Sequence, residues 1–127
     1  MKKCVVITIV LVSLLAAQVF AAQTMKIAVA AADKTPTAAV SDQMGAAPYF
    51  LFFDGKGKLL EAIENPYKNA ESPGPSVVNY LAGKGAKVAV AGGFGAKIVE
   101  VMKAKDITAV SFKGSAQDAV KKVLQSK

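Results

Sequence analysis

Ser41-Asp42-Gln43-Met44-Gly45-Ala46-Ala47-Pro48-Tyr49-Phe50 opens on small polar residues, passes a glycine and enters an apolar stretch through Pro48. Tyr49 to Phe53 is continuously apolar and aromatic, the pattern of a central strand covered on both faces. Behind it, Asp54-Gly55-Lys56-Gly57 reads as a hairpin turn, because both glycines tolerate positive φ. Lys58 to Glu64 then returns antiparallel, and its polar residues mark it as an edge strand. Upstream, Lys26 to Ala32 reads as a first strand with small and β-branched residues on both faces. The loop from Asp33 to Gln43, punctuated by Pro36, joins the two. Gly45 is expected in a backbone conformation closed to other residues.

Asn65 to Pro75 is a loop rich in Pro, Asn, Ser and Gly. A helix follows, with Pro75 near its first turn, Val77, Val78, Leu81 and Ala82 on one side, and Gly83 and Gly85 at its end. Val88 to Ala91 is a short buried strand, and Gly92-Gly93-Phe94-Gly95 turns into a second helix with Ile98, Val101 and Met102 as its apolar stripe. Ile107 to Phe112 is a last strand. Ser115, with Asp118 three residues on, forms a capping box for a helix that turns Ala116, Val120, Val123 and Leu124 inward and Lys121 and Lys122 to water. The order β-β-β-α-β-α-β-α predicts a mixed sheet with helices on its faces, a three-layer α/β fold with right-handed crossovers.

Three motifs together resemble the dinitrogenase iron–molybdenum cofactor biosynthesis family: the run from Ser41 to Phe50, the pair Asn65-Pro66, and Ala91-Gly92-Gly93-Phe94-Gly95. The resemblance covers about Met25 to Leu124. That family includes accessory proteins that hold nitrogenase cofactor precursors and small orange proteins that hold molybdenum–sulfide clusters. The resemblance implies a ribonuclease H-like fold with a five-stranded sheet in the order 3-2-1-4-5. In one respect the chain departs from the family, many of whose members carry His-Phe where Gln43-Met44 stands here; the chain has no histidine. Gln43 does not replace a metal-bound imidazole.

Before the domain, Lys2 and Lys3 precede an apolar run from Val5 to Ala17, and Val19-Phe20-Ala21 fits a small-residue cleavage site. This is the layout of a secretory signal peptide, residues 1–21, with cleavage expected after Ala21, an exported (periplasmic) domain over 25–124, and no stable membrane anchor afterwards. Cys4, the single cysteine, leaves with the leader. The mature chain is then expected to lack thiol, imidazole and disulfide, and to be held by its core alone. Without Lys2 and Lys3, fourteen lysines face nine acids, a net charge of +5. The lysines are scattered, arginine is absent and no basic run is interleaved with aromatics, so no nucleic-acid partner is expected.

These absences bound the chemistry. Catalysis through His or Cys has no residue to use, and Ser41, Ser72, Ser76, Ser111 and Ser115 lack an imidazole partner. Zinc sites of the usual kind are excluded for the same reason. Two-metal nuclease chemistry needs carboxylates gathered from several strands; the first and fourth strands carry none, and Asp33 and Asp54 fall just past strand ends. No enzyme activity is expected.

Binding is another matter. Gly92 to Gly95 joins a strand to a helix whose first N–H groups make a natural anion site, and Lys97 adds a point charge in the first turn. As a dinucleotide motif the glycines have the wrong spacing. A cluster whose metals are already ligated by inorganic sulfide needs a cradle of N–H donors, positive charge and apolar wall. The candidate cradle is Gly92, Gly93, Gly95 and Lys97, with Gly45 in the facing loop and Met44, Tyr49 and Phe94 as walls. Met44, Tyr49 and Phe94 read equally well as core. The expected function is that of an exported, non-enzymatic carrier of an anionic molybdenum–sulfide cluster (Mo–Cu or Mo–Fe). A cofactor-less interaction module and a small-anion binder on the same fold are the alternatives, and the oligomeric state is open.

Overall fold

The computed structural model describes residues 26–70 and 73–125; the expected leader, Cys4 within it, and Ser72 lie outside these. The chain forms β1 (Lys26–Ala31), β2 (Tyr49–Asp54), β3 (Leu59–Glu64), α1 (Gly74–Gly83), β4 (Ala86–Ala91), α2 (Ala96–Ala104), β5 (Thr108–Ser111) and α3 (Ala116–Gln125). The sheet order is β3-β2-β1-β4-β5. The β1–β2 and β2–β3 pairs are antiparallel, and the β1–β4 and β4–β5 pairs are parallel. This mixed α/β sheet is the ribonuclease H-like order that the resemblance implies, with β3 at an edge as its polar residues require.

Alternation along the strands divides the side chains between two cores. Ala28, Ala30, Phe50, Phe52, Ala89 and Ala91 face α1 and α2, where they meet Val77, Val78, Leu81, Ile98 and Met102. Ile27, Val29, Leu51, Phe53, Val88 and Val90 face α3, where they meet Ala116, Ala119, Val120 and Val123. On the first of these faces each small residue of β1 lies opposite an aromatic of β2: Ala28 pairs with Phe52, and Ala30 with Phe50. Large and small side chains thus alternate across one layer, and both helices pack against it. The start of α1 is pressed hardest, since a Cβ on Gly74 would lie 2.7 Å from Cγ1 of Ile98.

Two local expectations change. Of the hairpin glycines only Gly57 takes a positive φ, +87°. Asp54 is the last residue of β2 rather than a residue beyond it, and its carboxylate accepts the N–H groups of Lys56 and Lys58, both at 2.9 Å. Those two bonds hold its carboxyl below the usual Asp range. Its acid group therefore closes a turn and is not part of a carboxylate cluster.

Ser115 caps α3 as one half of the expected box: the Asp118 N–H donates to Ser115 Oγ at 3.1 Å. Replacing Ser115 with Ala is expected to cost about 1 kcal/mol. In a urea titration the midpoint should fall while the slope stays constant.

Candidate functional site

β1 runs parallel to β4 and antiparallel to β2, so the loops leaving β1 and β4 and the loop entering β2 gather at one end of the sheet. Clefts of open α/β sheets form outside the carboxyl ends of strands at such a switch point. Here the cleft has a volume of about 630 Å³. One wall is the segment from Asp42 to Ala46. Lys68, Ala70, Pro73 and Gly74, at the approach to α1, form a second. Gly93 to Gly95 and Ile98, at the approach to α2, form the third.

Backbone bonds fix the first wall against the sheet. The Ser41 N–H donates to Ala30 O at 2.8 Å, and the Gly92 N–H donates to Ser41 O at 2.7 Å. Gly92 is required by that approach, since a Cβ there would lie 2.9 Å from the Asp42 Cα. Its N–H is thus spent on the protein and is not offered to a ligand. Gly45 does not take a positive φ, contrary to expectation. A Cβ there would come into ordinary contact with Ile98 Cδ1 and Pro73 Cγ, each at 3.4 Å, so the wall packs against the starts of both helices.

One side chain holds the wall from below. Asn65 is the buried polar residue of the described core, 1% exposed. Its Nδ2 donates to Gly45 O at 3.0 Å and to Ala47 O at 2.9 Å, and its Oδ1 accepts the Tyr67 N–H at 2.8 Å. The Asn65 N–H donates to Pro48 O at 3.0 Å. The sequence signal was the pair Asn65-Pro66 itself, but its partners lie 18 and 20 residues away, where no local pattern reveals them.

The helix starts carry the electrostatics of the cleft. α1 begins after Pro73 and α2 after Gly95; neither start has a side-chain cap, and neither first turn has an acid. At α3, by contrast, the first N–H groups are taken up by Ala38 O, Pro36 O and Ser115 Oγ. Two helix N-termini with free donors therefore border one cleft, and their partial positive charge favours an anion there. A Cβ on Gly95 would meet nothing within 4 Å, so the room beside the α2 start is open.

Of the residues read from sequence, Gly45, Gly93, Phe94 and Gly95 come together around the cleft, with Phe94 half-buried. Met44 reaches its floor from beneath but is 0% exposed, packed with Phe50 and Val77 in the core, so its thioether is not an accessible wall. Tyr49 and Lys97 do not line the cleft. Tyr49 is the first residue of β2, paired with Ala31 and Glu64, and Lys97 is exposed on the first turn of α2 outside the lining. The lysine that lines it is Lys68, whose ammonium donates to the Glu64 carboxylate. That bond and the opposed charge hold Glu64 below its ordinary range and raise Lys68. Among the described residues no group of three or more His, Cys, Asp or Glu gathers to hold a metal ion, and no helix is long and apolar enough to cross a membrane.

The family model described as dinitrogenase iron-molybdenum cofactor matches residues 25–126. The chain belongs to that family. Among solved structures it is similar to a candidate NifB protein from Thermotoga studied by NMR, with 29% identity over 79% of this chain and 87% of that one and a TM-score of 0.68. It shares its fold with the apo form of the orange protein from Desulfovibrio gigas, at 24% identity, 80% and 88% coverage and a TM-score of 0.73. It also shares its fold with a candidate dinitrogenase from Methanocaldococcus jannaschii, at 9% identity, 80% and 88% coverage and a TM-score of 0.56. No curated protein matches the chain.

Replacing Asn65 with Ala leaves the Gly45 and Ala47 carbonyls buried without a donor and is expected to cost about 2–4 kcal/mol, read from the urea midpoint. Asn65→Asp keeps the shape but puts an oxygen where the donor was, and should cost at least as much near neutral pH. A loss below about 0.5 kcal/mol in both would mean that Asn65 does not hold the wall.

Proposed function

We propose that the protein is a non-enzymatic carrier that holds an anionic metal–sulfide cluster, a molybdenum–sulfur species (Mo–Cu or Mo–Fe), in the cleft between the starts of α1 and α2. The observation that carries the reading is the convergence of two helix N-termini without side-chain caps on one cleft that offers no thiolate or imidazole. Such a site suits a cargo that brings its own sulfide ligands and negative charge, which backbone N–H groups then bind without covalent attachment. Phe94 and the aliphatic side chain of Ile98 supply apolar wall for the sulfide faces. The volume, about 630 Å³, suits a small cluster and exceeds what a lone oxyanion fills. Membership of the family supports the same cargo class. The signal-peptide layout of residues 1–21 supports export, which separates the carrier from cytoplasmic cofactor assembly.

In this reading Lys68 is the side-chain cation of the site, and Glu64 competes with the cargo for it. Both groups are solvent-exposed, so their contribution is modest and screened by salt.

Protein purified from its native host should carry molybdenum and a visible absorption band, and protein stripped of metal should regain the band on addition of tetrathiomolybdate with copper(I). Colourless, metal-free protein that takes up nothing in that titration would contradict the reading. Among variants, Lys68→Gln should weaken uptake of the thiomolybdate–copper species and Glu64→Gln should tighten it, each by up to about fivefold at low salt. Equal affinities in all three proteins would remove Lys68 from the site while leaving the helix starts in place.

A further inference from the structure

The lysines are unevenly divided between the two ends of the sheet. At the cleft end, among the described residues, Lys34, Lys68, Lys97 and Lys113 are balanced by Asp33, Asp42, Glu64 and Asp118. The far end is strongly basic. Lys26 opens β1, Lys87 stands beside it near the start of β4, and Lys56 and Lys58 flank the β2–β3 turn. Lys84, Lys103 and Lys105 add the ends of α1 and α2. Against these seven stand Asp54, Glu61 and Asp106. Cations at helix C-termini answer the helix dipole, which accounts for Lys84, Lys103 and Lys105. No dipole accounts for Lys26, Lys56, Lys58 and Lys87, of which Lys56, Lys58 and Lys87 are exposed.

We propose that this lysine-rich end docks on an anionic phospholipid surface, with the cleft turned away from the membrane. Two observations select that partner. The charge is spread over strand starts, a hairpin and helix ends and has no arginine to make a phosphate fork, and the ring beside Lys84, Tyr80, is packed against Tyr67, so it suits a diffuse field of headgroups. The expected leader, residues 1–21, precedes β1 in the chain, and β1 begins at this end with Lys26. Export through a membrane therefore delivers the domain with its basic end nearest the lipid. The attachment is peripheral and electrostatic. It goes beyond the carrier reading and shares with it only the proposed export.

The test is sedimentation of the protein, purified as exported by its host, with vesicles of phosphatidylcholine containing about one third phosphatidylglycerol, compared with phosphatidylcholine alone. Binding to the anionic vesicles only is expected, with release at about 0.5 M salt, where screening shortens to a few ångströms. Lys56→Gln with Lys87→Gln should lower partition by about twenty-five-fold, about fivefold for each lysine, the factor equivalent to about 1 kcal/mol. Lys34→Gln with Lys113→Gln, at the cleft end, should change it by less than about twofold. Equal binding to neutral vesicles would show attachment that needs no anionic headgroup and overturn the proposal. So would no binding at low salt, equal losses in the two double variants, or salt-sensitive binding to duplex DNA without vesicle binding. Metal content is expected to be the same in all variants, so failure here leaves the carrier reading standing, and failure of that reading leaves this result interpretable.

Discussion

The carboxamide of Asn65 is the constraint on which the cleft end depends. It binds two carbonyls of the loop entering β2 and one amide of the turn leaving β3, and it does so fully enclosed by core. A buried amide can be kept there only if its donors and acceptor are satisfied, so the loop has little freedom to adopt another path. With that path fixed, Ser41 and Asp42 lie against the glycine turn after β4, closely enough that only glycine fits at position 92. With the turn fixed, α2 starts where its first N–H groups border the cleft. Each step is a steric or hydrogen-bond consequence of the one before.

The same geometry explains why a protein with so few coordinating side chains can have a site at all. Thiolate and imidazole ligands specify a metal through directional bonds to the ion. A helix start instead offers a fixed array of N–H donors and partial positive charge, which recognises negative charge at the surface of a ligand without entering its coordination sphere. Two such starts converge here, while the third helix of the described residues has its first amides consumed by the loop at Pro36 and Ala38 and by Ser115. The charge of the side chains is placed elsewhere: the cleft end is balanced and the opposite end is basic. In the proposed reading the attraction for an anion resides chiefly in the backbone, while most of the unbalanced lysine charge lies at the opposite end.

Much of this was legible in the sequence wherever one local rule applied. Tyr49 to Phe53 read as a doubly covered strand because the run is apolar and aromatic, and Phe50 to Phe53 are buried with Tyr49 half-buried. Ser115 and Asp118 read as a cap because capping is local, and the bond is there. The strand order came from the family resemblance, since spacing alone leaves the neighbours of β1 undetermined. What failed were inferences from position along the chain. Lys97 lies two residues beyond the glycine turn, yet Lys68, from another loop, lines the cleft. The need for Gly45 was read as conformational, yet its φ is not positive, and Gly92 was read as part of the cradle, whereas its close approach to Asp42, distant in sequence, requires it. Met44 was weighed as core and as wall, and the two sides of that question differ only by burial, which here is complete.

The central claim is that backbone amides at the starts of α1 and α2 hold the anion. The most direct measurement is an amide NMR titration of the metal-free protein with tetrathiomolybdate and copper(I). The account predicts that the largest shifts fall on the N–H groups of Gly95, Ala96, Lys97 and Ile98 and of Gly74 and Ser76, with those of Ala116 and Gln117 unmoved. Shifts centred on the lysines of the opposite end, or spread evenly over the chain, would contradict it.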